Sequence, residues 1–294
     1  MVYFHTELDE LLKEPEGWNS GFFTNGRGMK LRHGSLKNHD KPKANIVLVH
    51  GLSEYLDKFF ELSRIFNERG CNLYTYDQAG CGLSERFDYD RSRSHTDSMD
   101  EDIRDLLQFR MDHVPDNAPT IVFGHSTGGL IVTRAAQTEP EAFDGAVLSS
   151  PLLGHKIKAA RATERLLAHA DFLPDSVKKK YAPSVGPWKK RTGSKPDLPS
   201  EDFTRDPIRQ QLHDHLPIHN PDYRIGGPTL GWMIERAKGM RDALKDENIR
   251  KIRIPFFAAA AGEDVLVNNE KLKSLMSRIP TPSHMMTFVG AKHE

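Results

Sequence analysis

The chain has 294 residues, with 41 lysines and arginines against 41 aspartates and glutamates, and it contains two cysteines. The balanced charge argues against nucleic-acid binding, and two cysteines are too few for a disulfide framework. No window approaches the roughly 18 apolar residues of a transmembrane helix, and the N-terminus lacks a signal-peptide pattern. Neither Cys71 nor Cys81 lies near histidines at metal-ligand spacing, so we expect a reduced, cytoplasmic protein.

Short apolar runs alternate with helix-length segments along most of the chain. Residues 22–35 resemble a β-hairpin. Runs typical of strands follow at 44–49, 72–76, 120–123, 146–148, 255–259 and 285–289. Apolar residues at three- and four-residue spacing mark helices at 58–68, 98–112, 129–139 and 268–277. Near-continuous apolar runs are typical of strands covered on both faces, so the pattern predicts an α/β fold with a mostly parallel, doubly wound sheet.

Residues 152–250 interrupt this alternation, because they contain helical and proline-rich patches but no run typical of a strand. We therefore expect an α/β core formed by residues 1–151 and 251–294, with residues 152–250 inserted as a helical cap. Within the insertion, residues 176–195 are basic and contain no acidic residue. Lys178, Lys179 and Lys180 could contact an anionic membrane surface at the inner membrane face, although a solvated helix face explains them more simply.

Residues 124–128 read G-x-S-x-G, between a predicted strand and a predicted helix. Glycines flank Ser126 because the chain must turn from strand to helix within about three residues. The start of the helix supplies unpaired N–H groups and a positive dipole end, which suit an oxygen that becomes negative. This pattern predicts that Ser126 is a catalytic nucleophile.

A serine nucleophile needs a base that takes its proton and an acid that orients the base. Asp264 lies in the turn after the strand predicted at 255–259, where catalytic groups collect in open α/β sheets, and Glu263 is the alternative acid. His293 follows the last predicted strand, one helix and one strand after Asp264. That order is the one expected for the base, so we predict a triad of Ser126, Asp264 and His293.

The loop after the strand at 44–49 reads His50-Gly51-Leu52. Gly51 allows a close approach of the backbone, and the N–H groups of Leu52 and Thr127 are the predicted oxyanion hole. We expect His50 to be a buried, hydrogen-bonded residue that orders this loop. We expect His125 to form the floor of the pocket rather than to act as the base, because adjacent residues on a tight turn diverge.

Six segments carry a resemblance to a known superfamily: HGLSEY at 50–55, D-x-x-G-x-G-x-S at 77–84, GHSTGG at 124–129, LSSPLL at 148–153, AGEDVLV at 261–267 and GAKHE at 290–294. Together they resemble the α/β-hydrolases, and more narrowly the lysophospholipase and monoacylglycerol lipase group. The segment NPDYRIGGPTLGW at 220–232 resembles the end of the cap in bacterial lysophospholipases of the inner-membrane type. The resemblance implies the same triad and oxyanion donors, with a substrate pocket that includes Gly51, His125, Leu152 and Trp232.

The chain departs from the family pattern in three ways. Ala79 replaces the arginine usual after Asp77, and Cys81 replaces a glutamine or histidine, which leaves open how Asp77 braces its glycine loop. Relatives also continue beyond His293 into a helix. Either the sequence given is truncated or the base lies at a frayed end.

The resemblance implies a serine hydrolase that cleaves the carboxylic ester of a single-acyl lipid, a lysophospholipid or a monoacylglycerol, through an acyl-enzyme and without a cofactor. A peptidase of the proline iminopeptidase type is an alternative, since it would use the same triad and needs acidic cap residues to hold a substrate ammonium. The cap contains such residues at Glu201, Asp202, Asp206, Asp214 and Asp222. A non-catalytic binding protein on this scaffold is the third alternative, but it would ordinarily lack part of the triad.

Overall fold

The computed structural model describes residues 3–87, 90–189 and 203–294. In these ranges it has eight strands: β1 (Trp18–Thr24), β2 (Lys30–Leu36), β3 (Asn45–Val49), β4 (Asn72–Tyr76), β5 (Thr120–His125), β6 (Gly145–Ser149), β7 (Phe256–Ala261) and β8 (His284–Phe288). They form one sheet in the order β1-β2-β4-β3-β5-β6-β7-β8. Strands β4, β3 and β5 to β8 pair in parallel, and β1 and β2 add two antiparallel pairings at one edge.

The helices of the described ranges are α1 (Tyr3–Leu12), α2 (Phe60–Glu68), α3 (Met99–His113), α4 (Thr127–Thr138), α5 (Lys158–Leu167), α6 (Asp175–Lys178), α7 (Pro207–His219), α8 (Leu230–Ala243), α9 (Asp246–Ile249) and α10 (Asn269–Met276). Several begin at a side-chain cap: Ser98 accepts a hydrogen bond from the N–H of Asp100, and Thr229 accepts one from the N–H of Trp232. Such caps satisfy amides that have no partner within the helix.

The strands and helices predicted from the apolar pattern are confirmed, with differences of a few residues at their ends. The hairpin expected at 22–35 pairs β1 with β2 over the full length of both strands. Strands β3 and β4 are buried at every position, as expected for strands covered on both faces. Helix α1 was not predicted by the pattern; it packs on α2 and α7.

The larger part of the hydrophobic core lies on the face of the sheet covered by α3, α4 and α8. A smaller cluster around Ile46, Leu48 and Leu73 lies against α2 on the opposite face. Helix α4 packs on β5 and β6. Ser126, the residue between β5 and α4, is therefore held by the centre of the core.

Helices α5 to α9 lie within residues 152–250, and no strand is assigned in the described part of this segment. Helix α5 packs on α8, and α8 packs in turn on α3 and α4. The basic residues Lys190, Arg191 and Lys195 and the acidic residues Glu201 and Asp202 lie outside the described residues. Among the helices that the structure describes, none has the length and apolar character needed to cross a bilayer.

Candidate active site

Ser126 occupies a strained turn between β5 and α4. Its backbone has φ 51° and ψ −116°, a conformation that costs a non-glycine residue about 1–3 kcal/mol. A Cβ atom at Gly128 would lie 2.1 Å from the carbonyl oxygen of Val49, and one at Gly124 would lie 2.7 Å from that of Gly128. The two glycines of the G-x-S-x-G pattern are therefore required by the close approach of the backbone at this turn.

The structure brings Ser126, His293 and Asp264 into one chain of hydrogen bonds. Ser126 Oγ lies 2.9 Å from His293 Nε2, and His293 Nδ1 lies 2.7 Å from Asp264 Oδ2. Asp264 is fully buried, and its Oδ1 accepts hydrogen bonds from the N–H groups of Leu266 at 2.8 Å and Val267 at 3.0 Å. With Nδ1–H donating to the carboxylate, Nε2 is left as the acceptor for the serine hydroxyl.

The surroundings of Asp264 keep its carboxyl group ionised. Burial opposes ionisation, but the hydrogen bond from His293 and the two backbone amides outweigh it and hold the pKa of Asp264 below its ordinary value. Glu263, the alternative acid, is half exposed and forms an ion pair with Arg205 at the surface. Between the two candidates, only Asp264 reaches the imidazole.

His293 is 4% exposed, and the N–H of the next residue, Glu294, donates to the carbonyl of Phe203 at 2.7 Å. The expectation that the base lies at a frayed end is wrong for this structure, because contacts on both sides hold the histidine in place.

The loop that follows β3 is fixed on both sides of Gly51. The buried imidazole of His50 donates from Nδ1 to the carbonyl of Gly51 at 2.8 Å and accepts at Nε2 from the N–H of Gln78 at 3.1 Å. A Cβ atom at Gly51 would lie 3.1 Å from the Cβ of Ser126. Leu52 follows directly, and Thr127 is the first residue of α4, where an N–H has no acceptor within the helix.

A buried charged cluster, which sequence reasoning missed, lies behind this loop. Glu54 accepts from the N–H of Gly51 at 2.5 Å, and Lys58 Nζ donates to Glu54 at 2.5 Å and to Glu294 at 2.6 Å. Burial opposes ionisation of Glu54, but the charge of Lys58 outweighs it and lowers the pKa of Glu54 to about 2. The spacing of Glu54 and Lys58 by four residues was the signal available in the sequence.

His125 lies beside this cluster, with its ring centroid 5.1 Å from that of His293. Burial lowers the pKa of His125 and favours its neutral form, even though Glu54 acts in the opposite direction. Ligand atoms of Glu54, His125 and Glu294 lie within 4.8 Å of one another, as they would around a metal ion. The ammonium group of Lys58 already bonds to both carboxylates and supplies the positive charge there.

A cavity of about 520 Å³ opens onto Ser126. Its wall is mainly apolar, and all four residues expected to line the substrate pocket, Gly51, His125, Leu152 and Trp232, take part in it. Leu52, Thr127 and His293 line it as well. A second cavity, of about 470 Å³, reaches His293 from the side of α2 but does not include Ser126 among its lining residues. The first cavity is therefore the one that can present a substrate to the serine.

The glycine loop after β4 is braced without the arginine usual in the resembled family. Asp77 accepts from the N–H groups of Leu56 at 2.7 Å and Leu83 at 2.9 Å. Arg86 donates to the carbonyl groups of Gly80 and Gly82 from the other side. Burial raises the pKa of the Cys81 thiol in this loop to about 12, which makes it a poor nucleophile.

Comparison with known proteins connects this site with a hydrolase family. The family described as "Serine aminopeptidase, S33" matches residues 40–294. The chain belongs to this family. Within the S33 family the resemblance to lysophospholipases and monoacylglycerol lipases is confirmed. The chain is 26% identical to the probable lysophospholipase L2 of Haemophilus influenzae over 302 residues, which cover 99% of this chain and 91% of the relative.

A shorter sequence match and a structural match are also to monoacylglycerol lipases. The monoglyceride lipase of Rattus norvegicus is 32% identical over 114 residues, 38% of this chain and 36% of the relative. The crystal structure of Paleococcus ferrophilus monoacylglycerol lipase has a TM-score of 0.68 at 22% identity and covers 90% of this chain and 91% of its own. At this identity the structural match shows the fold, which is the α/β-hydrolase fold.

Proposed function

We propose that this S33 protein hydrolyses the carboxylic ester of a single-acyl lipid, a lysophospholipid or a monoacylglycerol, with Ser126 as nucleophile. The observation that carries the proposal is the hydrogen-bonded chain from Ser126 through His293 to Asp264 at one end of a mainly apolar cavity. Relatives named as lysophospholipase and monoglyceride lipase support the same class of substrate.

In the first step, Ser126 Oγ attacks the ester carbonyl carbon while its proton passes to His293 Nε2. Asp264 stabilises the resulting imidazolium, and its bonds to the amides of Leu266 and Val267 keep the carboxylate in place. The carbonyl oxygen becomes an oxyanion between the N–H groups of Leu52 and Thr127, each worth about 3 kcal/mol of barrier.

Collapse of this intermediate breaks the bond to the alcohol, which leaves with the proton that His293 returns. The acyl group remains on Ser126 as an ester. A water molecule then takes the place of the alcohol, gives a proton to His293 Nε2 and attacks the acyl carbon, which releases the fatty acid and restores the serine hydroxyl.

The acyl chain lies along the apolar wall of the cavity, and residues 152–250 act as its cap. Leu167 of α5 and Trp232, Met233 and Met240 of α8 support this assignment, because they line the cavity opposite the sheet. Pockets of this size and character commonly hold apolar ligands with a few fixed polar contacts.

The peptidase alternative has less support from the cap. Among the described acidic residues that it needs, Asp206 caps the N-terminus of α7, and neither Asp214 nor Asp222 lines the cavity. Glu164 does line it, but its carboxylate lies 3.2 Å from His155 Nδ1. We therefore favour an ester of an apolar acid over a peptide with a free amino group.

A single plate assay tests the proposal. The substrates are lysophosphatidylcholine, monoacylglycerol, p-nitrophenyl esters of graded chain length and a proline anilide, each with the native protein and with Ser126→Ala. We expect hydrolysis of the esters and a loss of about 10⁴-fold or more in Ser126→Ala. Full esterase activity in Ser126→Ala would refute the mechanism, and cleavage of the anilide alone would refute the lipid assignment.

We also propose that Lys178, Lys179 and Lys180 contact an anionic membrane surface. Phe172, in the loop before these lysines, is 82% exposed, so an apolar and a basic group occur together in this part of the chain. The test is co-sedimentation with phosphatidylglycerol vesicles and with phosphatidylcholine vesicles. Replacing the three lysines with glutamine is expected to remove binding to the anionic vesicles; equal binding to both vesicles would contradict the proposal.

A further inference from the structure

We propose that Arg236 binds the phosphate of a lysophospholipid headgroup, so that the lysophospholipid rather than the monoacylglycerol is the preferred substrate. This inference rests on the proposed function and extends it to the choice of headgroup. It depends on three observations: the place of Arg236 in the cavity, its unused hydrogen-bond donors, and the pairing of the acidic groups around it.

Arg236 lies on α8 and is only 3% exposed, yet it lines the same cavity as Ser126. It also lines a narrow recess together with Leu52 and Thr127, the two predicted oxyanion donors. The phosphate of a lysophospholipid is separated from its acyl ester by the three-carbon glycerol unit. Arg236 and the oxyanion donors border one recess, so the guanidinium lies near the place where the ester carbonyl would bind.

The guanidinium group of Arg236 has unused donors. Nη1 donates to Asp102 Oδ2 at 2.7 Å and contacts Met99 Sδ at 2.9 Å. Nε is buried without a hydrogen-bond partner, and among the described residues Nη2 has no acceptor either. The edge formed by Nε and Nη2 is one that pairs bidentately with two oxygens of a phosphate or carboxylate. A buried donor without a partner is unfavourable, and a bound oxyanion would satisfy it.

The guanidinium group of Arg236 is also held in position before any ligand binds. The Asp102 carboxylate anchors one side of the guanidinium and in turn accepts from Thr96 Oγ1 at 3.1 Å. The Cζ atom of Arg236 lies 5.2 Å from the centre of the Trp232 ring, within cation–π distance. A cation fixed in this way loses little side-chain freedom when an anion binds.

Each acidic group that lines the cavity already has a hydrogen-bond or ion-pair partner. Glu54 and Glu294 are both paired with Lys58, and Glu164 lies against His155. Asp102 neutralises the single charge of Arg236 but uses only Nη1, so Nε and Nη2 would act on an anion as hydrogen-bond donors. A phosphate therefore meets free N–H donors and no carboxylate without a partner.

The test compares 1-palmitoyl lysophosphatidic acid with 1-palmitoylglycerol, which share the acyl chain and the glycerol unit and differ only in the phosphate. We expect Arg236→Gln to lower the ratio of kcat/KM for the two substrates by about 30-fold, through KM for the lysophospholipid, with partial recovery in Arg236→Lys. Lys238→Gln, on the same helix but outside the cavity, is the matched control and should keep the native ratio. An equal loss on both substrates in Arg236→Gln would show a structural role only and overturn the inference.

A second measurement avoids any folding defect of the variants. In the native protein, glycerol 3-phosphate should inhibit hydrolysis of p-nitrophenyl butyrate competitively, whereas glycerol should not; absence of inhibition would also overturn the inference. Inorganic phosphate is included, because inhibition by phosphate equal to that by glycerol 3-phosphate would indicate a free-anion site instead of a headgroup site. Failure of the proposed function can be told apart from failure of this inference, because in the former case the native protein would hydrolyse neither lipid.

Discussion

The two sides of the cavity are built in different ways. On the side of the sheet, Ser126, Asp264 and His293 follow the carboxyl ends of β5, β7 and β8, and hydrogen bonds to buried groups hold them. On the opposite side, α5 and α8 contribute apolar side chains such as Leu167 and Met233. In the proposed mechanism, the sheet side therefore carries the reacting groups, whereas the helical side contacts the acyl chain of the substrate.

The largest effect should come from Asp264→Asn on the sheet side. Asparagine can still accept from the amides of Leu266 and Val267, but it presents an N–H group to His293 and favours the wrong imidazole tautomer. We expect kcat to fall about 10⁴-fold for every ester, with little change in the melting temperature. Steady-state kinetics and a thermal melt would measure the two quantities.

Glu263→Gln is the matched control, because this neighbouring carboxylate lies at the surface and pairs with Arg205. It should keep kcat within about two-fold, since an exposed ion pair contributes little. A large loss of kcat in Glu263→Gln, together with an active Asp264→Asn, would show that Glu263 rather than Asp264 is the acid of the triad.

The next effect is on stability and is expected from Lys58→Met, which leaves Glu54 and Glu294 buried without their cation. Breaking a buried charge pair costs about 3–5 kcal/mol of unfolding free energy, and the loop that holds Gly51 would lose its support. Urea denaturation would measure the stability. Lys273→Met is the control, because Lys273 also pairs with a glutamate but is 57% exposed, and it should cost less than about 0.5 kcal/mol.

The buried cluster of Glu54, Lys58 and Glu294 should also make the unfolding free energy depend on pH. The pKa of Glu54 is about 2 in the folded protein, below its ordinary value of 4.5, so the carboxylate stabilises the fold above pH 4.5 and this contribution is lost as the pH falls towards 2. The difference in unfolding free energy between the native protein and Glu54→Gln should therefore shrink over this range. A difference that stays constant from pH 6 to about 3 would contradict the assignment of a buried, ionised Glu54.

The sheet side could largely be predicted from the sequence because its signals are local. The run at 72–76, Asn-Leu-Tyr-Thr-Tyr, predicts β4 because aromatic and β-branched residues in a short run are typical of strands. The glycines at 124 and 128 indicate a tight turn, because a side chain at either position would collide with neighbouring backbone. The order of Ser126, Asp264 and His293 along the strands then predicts which side chains meet, although their catalytic roles remain predictions.

Apart from the Glu54–Lys58 pair, the contacts that sequence reasoning missed join residues far apart in the chain. Lys58 meets Glu294 across 236 positions, and Arg236 meets Asp102 across 134. Each depends on the tertiary fold, which brings the end of the chain to Lys58 and packs α8 on α3, and neither arrangement leaves a periodic signal in the sequence. Helix α1 was missed for a related reason, because its packing on α7 depends on the fold of a segment more than a hundred residues away.

The smallest effect should come from the helical side, where Leu167→Ala shortens one side chain of the cavity wall. Removing part of a half-buried leucine should lower kcat/KM for long-chain p-nitrophenyl esters about 10-fold, but should leave the acetate ester within about two-fold. Leu166→Ala is the control, because this adjacent leucine is 76% exposed and does not line the cavity. A loss that does not depend on chain length would show that α5 supports the reaction itself, and the division between a reactive side and a selective side would then fail.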